Sequence, residues 1–288
     1  MMNGKMTVSD NMCSDAENSI LAVRDTTLVN VDVISAAGEQ QKQVAKMVAE
    51  EVPVALSYDG TTQAVLMASP EDLEDFAYGF SLTEEFISDP DEIEHIDIVA
   101  LPRGIDVQIA LRVDRREAFR KRRRSMAGPV GCGLCGIESI EAAMRDIAKV
   151  DRADVYFDAA EIFNAGRQIC EKQTLNKATR AAHAAAFYNK KEGIIALRED
   201  VGRHNALDKL CGYLFRNQLS IDHGFIIVTS RLSVEMVQKA AVLGASTVVA
   251  VSAATSQAIH IGQNCNMTLI GRAREKDFEI YCGKKWIR

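Results

Sequence analysis

The sequence predicts an α/β protein of two units, a smaller mixed α/β unit followed by a larger three-layer one, and three observations carry that prediction. From Ile194 onward, strand-like apolar runs alternate with helical runs, the pattern of a sheet covered on both faces. Earlier, two pairs of apolar runs are interrupted at Asp59-Gly60 and Arg103-Gly104, as hairpins are. The chain has 288 residues, 47% of them hydrophobic, enough for about two domains of roughly 100 to 150 residues each.

In order, residues 1–45 read as a variable polar segment in which "TTLVNVDVI" is a loose tail or an edge strand. Residues 46–125 form the small unit. Its first hairpin is "EVPVALSYDGTTQAVLMAS", and a helix follows in "SPEDLEDFAYGFSLTEEF", with Ser69 as cap, Pro70 at the first helical position and Asp72 in the first turn. Leu73, Phe76, Ala77 and Phe80 share one helical face. "IDIVALPRGIDVQIALRV" gives the second hairpin.

Residues 126–150 are a cysteine loop and a connecting helix, in which Ile137, Ile140, Met144 and Ile147 repeat on one face. Glu138 and Glu141 stand near its start, Arg145 and Lys149 near its end. Residues 151–288 form the larger unit. Asp158 and Glu161 make a capping box, and "TRAAHAAAFYN" reads as an alanine-rich helix in which His183 is packed or capped. Strands "IIAL", "FIIVTS", "TVVAVSA", "MTLIG" and "FEIYC" then frame helices around "NALDKLCGYLF", "SVEMVQKAAVL" and "SQAIHIGQNC".

The net charge of -6 argues against a general nucleic-acid coat. Positive charge is concentrated between Leu111 and Met126, where eight Arg or Lys residues face two acids. Phe119 is the only aromatic near the run Arg120 to Arg124, so repeated stacking surfaces for a single strand are missing. No apolar run is long enough for a signal peptide or membrane helix, so the expected location is the cytoplasm, without a membrane partner.

Seven cysteines at scattered spacings, an odd count, do not read as a disulfide framework. Cys170, Cys211 and Cys265 lie in apolar or helical patterns and read as small core residues. Cys132 and Cys135 differ, standing in "PVGCGLCGIE" just after the basic run. One C-x-x-C lacks the four ligands of structural zinc. There is no second close pair, and the nearest downstream histidine is His183. A thioredoxin-like dithiol is expected between a strand and a helix, whereas this pair follows a cationic, glycine-rich stretch. A third reading has Cys132 carry sulfane sulfur as a persulfide, with Cys135 assisting, nearby cations favouring thiolate and anionic substrate, and glycines giving the loop reach.

The segments "EVPVALSYDG", "MASPEDLEDFAYGFSLTEEFI", "RRRSMAGPVGCGLCGIE", "EDVGRHNALDKL", "VTSRLSVEMVQKA" and "VSAATSQAI" resemble, in this order and along most of the chain, the formate dehydrogenase accessory sulfurtransferase family. The resemblance implies a larger domain similar to the cytidine deaminase fold and a homodimer. It implies sulfur taken from a cysteine desulfurase and passed to the bis-molybdopterin guanine dinucleotide cofactor that formate dehydrogenase requires. That cofactor is a bound substrate, and no metal is expected on the protein itself. Cys132 matches the family's persulfide cysteine and Cys135 its partner. Deamination is not expected, since a zinc deaminase wants H-x-E upstream of P-C-x-x-C, and no H-x-E occurs and Pro129 is not adjacent to Cys132. A cofactor-binding chaperone that needs neither thiol is the non-enzymatic alternative.

Receptors for the cofactor's phosphates and guanines are expected at strand-to-helix turns. In "GRHNALDK", Gly202 permits a close turn, Arg203, His204 and Lys209 suit anions, and Asp208 suits guanine donors. In "VTSRLSVEM", Ser230, Arg231 and Ser233 repeat the topology. By family order, the segment after "MTLIG" binds cofactor, which maps to Arg272, Ala273, Arg274, Glu275, Lys276 and Asp277. The family's glycine and terminal arginine are replaced there by Lys276 and Asp277.

Overall fold

A computed structural model of the chain describes residues 28–37, 40–116, 119, 145, 147–274 and 277–288. Cys132 and Cys135 lie outside the described residues, as do Glu275, Lys276 and most of the expected connecting helix. Of that helix, Arg145 and residues 147–150 are described, and they are not helical.

The first strands, β1 (Leu28–Ala37) and β2 (Gln40–Ala49), form an antiparallel ribbon outside the larger sheets. Within "TTLVNVDVI", Leu28 to Ile34 are thus paired, though not at the edge of a main sheet. β3 (Val52–Tyr58) and β4 (Thr61–Ala68) form the hairpin turned by Asp59 and Gly60, both at positive φ. β5 (Ile93–Leu101) and β6 (Gly104–Leu111) form the second. The four make one sheet in the order β4-β3-β6-β5, with β3 and β6 parallel.

α1 (Leu73–Thr83) covers this sheet with Leu73, Phe76, Ala77 and Phe80, all buried; full burial of a side chain such as Phe76 stabilises by roughly 1.5–3 kcal/mol. Its start differs from the expected one. The N-cap is Asp72, in the left-handed region at φ 54 and without a side-chain cap bond. Ser69 is diverted to a contact with Asp200 in the other unit. Phe119 is 3% exposed and stacks on Tyr58 at 4.9 Å, so it belongs to this core and not to a stacking surface.

The second sheet has the order β12-β11-β10-β9-β7-β8. α2 (Ala159–Lys172) opens with the expected capping box of Asp158 and Glu161 and lies on one face. A short helix, α3 (Thr174–Thr179), follows and ends at Arg180 in the left-handed region. The stretch read as an alanine-rich helix is instead β7 (His183–Asn189). Its side chains alternate strictly, Ala185 and Phe187 into one core and Ala184, Ala186 and Tyr188 into the other. Pairing with β8 (Gly193–Asp200) and β9 (Gly224–Val228) on its two sides outweighs the helical preference of alanine.

β9, β10 (Thr247–Ala250) and β11 (Thr268–Gly271) are parallel to one another, and β12 (Glu279–Cys282) is antiparallel to β11. α4 (Arg203–Arg216), α5 (Val234–Val242) and α6 (Ser256–Asn264) pack on the face opposite α2. Cys211 and Cys265 are buried there as expected, whereas Cys170 is exposed.

The two sheets are joined where α1 crosses α4. A Cβ on Gly79 would come within 1.7 Å of the Asp208 carbonyl oxygen, and one on Gly212 within 1.8 Å of that of Asp75. The helices therefore touch backbone to backbone. Around the crossing, Arg198 pairs with Asp75 at 2.7 Å and Lys239 with Asp208 at 2.9 Å.

Candidate functional site

β8 and β9 are each antiparallel to β7, so β8 runs with β9, β10 and β11. The carboxyl ends of these four strands share one edge, the side of an α/β sheet where ligands bind. α4, α5 and α6 begin there.

At the β8–α4 turn, Gly202 is the N-cap with an ordinary φ of -95. Space, not backbone conformation, requires the glycine: a Cβ would stand 2.7 Å from Asn205 Nδ2. The first turn of α4 meets that of α5, where His204 Nε2 lies 2.8 Å from Glu235 Oε2. The ion-pair distance is not matched by hydrogen-bond geometry, and Nε2 is buried without a hydrogen-bond partner. Arg203 Nε and Ser233 Oγ are likewise buried without a partner. Ser233 is the N-cap of α5 but makes no side-chain cap bond. Arg203 Nε and Ser233 Oγ, polar atoms of a kind that ordinarily find partners when buried, are thus unbonded beside two helix starts, whose free N–H groups favour anions, while His204 is held against the Glu235 carboxylate.

His183 sits opposite Asp200 in the β7–β8 register. Burial lowers its pKa, and Arg203 and His204 lower it further against the opposing effect of Asp200. From sequence alone His183 reads as packed or capped because its segment reads as a helix, and Asp200 goes unnoticed because an acid ending a strand carries no distinctive pattern.

The remaining candidates are distributed unevenly. Ser230 is 4% exposed and its hydroxyl donates to the Arg231 carbonyl at 3.1 Å, while Arg231 is exposed. Arg272, in the left-handed region at φ 53, is exposed with Arg274 and Asp277, whereas Ala273 is 2% exposed. These four follow β11 at the same sheet edge. Asp208 and Lys209 do not reach the edge. They are 2% and 0% exposed, Asp208 bound to Lys239 and Thr83 and Lys209 to Asp200 at 2.7 Å and to the Ser69 carbonyl. Asp208 is oriented inward by the seam with α1 and Lys209 by Asp200 and Ser69, which no pattern within α4 reveals. Burial pushes the Asp208 carboxyl up; burial also works against the Lys239 charge, but Asp208 and Glu84 together hold the ammonium above its usual value.

Among the described residues, no group of three or more His, Cys, Asp or Glu is placed to hold a metal, and no helix is long and apolar enough to cross a membrane.

Fold and edge together define an α/β protein whose larger sheet gathers three helix starts at one edge and has a second, smaller sheet locked to it. Residues 49–288 match the model of the FdhD/NarQ family, and the chain belongs to that family. It is 52% identical over 236 residues to the sulfur carrier protein FdhD of Agrobacterium fabrum, covering 82% of this chain and 87% of that one. It is 41% identical over 277 residues to that of Bordetella petrii, covering 96% and 94%. The fold is similar to a crystal structure of a protein assigned as a formate dehydrogenase accessory protein, from Desulfotalea psychrophila. The TM-score is 0.71 at 21% identity, over 91% of this chain and all of that one.

Proposed function

We propose that this chain is a sulfur carrier that loads Cys132 with sulfane sulfur from a cysteine desulfurase and delivers it to the bis-molybdopterin guanine dinucleotide cofactor destined for formate dehydrogenase. The observation that carries this reading is the 52% identity to a named sulfur carrier protein over most of both chains. In the loading step the Cys132 thiolate attacks the outer sulfur of the donor's persulfide. A new sulfur–sulfur bond forms, the donor's own breaks, and the donor cysteine leaves as thiolate, with no net change in oxidation. The cations of Arg120 to Arg124 favour the thiolate and an anionic acceptor. Cys135, three residues on, assists release.

The cofactor is a substrate here, held through its phosphates and guanines. Arg203 and Ser233 supply unbonded polar atoms beside the starts of α4 and α5, His204 adds an imidazole paired with Glu235, and Arg231, Arg272 and Arg274 supply exposed cations along the same edge. The reading includes a cytoplasmic homodimer.

Activation of sulfur-deficient formate dehydrogenase separates carriage from chaperoning. Wild type should activate it, and Cys132→Ala and the Cys132→Ala/Cys135→Ala double variant should not, although both remain folded. Activation by the double variant equal to wild type would show a cofactor chaperone that needs no thiol.

A further inference from the structure

One buried carboxylate organises the turn that presents Arg203 and His204. Asp200, at the end of β8, is 0% exposed, accepts three hydrogen bonds and forms one ion pair. Its Oδ1 accepts from Gly202 N at 2.7 Å and Asn205 Nδ2 at 2.9 Å. Its Oδ2 accepts from Ser69 N at 3.0 Å and pairs with the Lys209 ammonium at 2.7 Å. The first pair closes the turn onto α4, since an aspartate bonding the backbone two residues on fixes a local bend. The second pair reaches the other sheet, because Ser69 directly follows β4. Ser69 Oγ accepts from Val201 N at 3.2 Å, and Asn205 Nδ2 also donates to the Met67 carbonyl at 2.8 Å. Asn205 and Lys209 are four residues apart and share a helical face; Arg203 and His204 fall on other faces of α4, toward the sheet edge.

We propose that Asp200 is a positioning residue, touching no substrate itself but fixing the β8–α4 turn so that Arg203 and His204 stand ready for the anionic part of the substrate. This inference rests on the reading of the edge as the cofactor site. A buried ion pair is weak support for stability when apolar residues can fill the same volume, so the network's worth lies in geometry. The proton and charge arithmetic makes it sensitive: an asparagine at 200 would turn an NH2 group toward Ser69 N and Lys209 Nζ, two donors, and the turn must shift to relieve them.

The experiment compares full-length wild type, Asp200→Asn, and the paired apolar variant Asp200→Leu/Lys209→Met. GDP binding is measured by calorimetry, sulfur loading of Cys132 by mass spectrometry after desulfurase and cysteine, and stability by urea. Both variants should lose GDP affinity by about tenfold or more while Cys132 loads as in wild type, and the paired variant, whose urea midpoint falls because Ser69 N, Gly202 N and Asn205 Nδ2 lose their acceptor, should remain folded in buffer. Wild-type affinity in a folded variant overturns the role of Asp200 and leaves the cofactor reading standing. Loss of binding and loading in parallel with the urea midpoint, or failure of both variants to fold, marks a merely structural pair and also overturns it. Wild type that does not bind GDP removes the cofactor reading, and this inference with it.

Discussion

Helix α4 belongs to two regions of opposite character. Its first turn, with Arg203 and His204, leaves polar atoms unbonded at the sheet edge; one turn further on, Asp208 and Lys209 are fully paired in the seam against α1. The seam is closed by two glycines at the crossing and by buried ion pairs. At the edge Arg203 Nε and Ser233 Oγ are left without partners. A rigid seam under an unsatisfied edge is how a binding turn is held ready without being filled by its own neighbours.

The largest effect that can break this comparison is in the seam. Lys239→Met leaves Asp208, 2% exposed, without its cation, and should cost about 3–5 kcal/mol in urea unfolding. A loss below about 1 kcal/mol would show that the pair is not what closes the seam. Gly212→Ala should cost roughly 1–3 kcal/mol, because its Cβ would lie 1.8 Å from a backbone oxygen of α1 and the helices must part. An unchanged midpoint would mean that the helices separate freely.

At the edge the same measurements should read differently. Arg203→Ala should leave the urea midpoint within about 0.5 kcal/mol, as a substitution outside the packed core does, yet weaken GDP binding by about tenfold. Equal losses in stability and binding would put Arg203 in the seam class. The smallest effect is a pH dependence from His183. Its folded pKa is lowered by burial, Arg203 and His204, so the folded state resists the proton that the unfolded state takes up. Its contribution is present above the unfolded value of about 6.5 and is lost as pH falls below it toward the folded value. His183→Gln should flatten that acid limb of the stability profile; a limb of unchanged slope would exclude His183 as its source.

Much of the architecture was legible because local signals agreed with tertiary pairing. Asp59-Gly60 is the turn its residues suit, Asp158 and Glu161 form their capping box, and the alternating runs after Ile194 become β8 to β12 with α4 to α6 between them. Legibility failed where long-range contacts overrule local ones. Alanines of β7 are flanked by β8, its hairpin partner, and by β9, which no short window contains. Ser69 looks like a cap but is taken by Asp200, 131 residues away. Arg203, His204 and Ser233 were legible as strand-to-helix turn residues and do stand at the edge, whereas Asp208 is turned inward by α1 and Lys209, in the same segment, by Asp200 and Ser69. Residue type and spacing pick out the turn; only these contacts decide which of its residues face a ligand.

Sulfur carriage is tested most directly by treating the wild-type chain with a cysteine desulfurase and cysteine, then measuring the intact mass and mapping the modified residue. The predicted result is one added sulfur on Cys132, removed by a thiol reductant and absent from Cys132→Ala. An unmodified wild type, or equal loading of Cys132→Ala, would contradict the account.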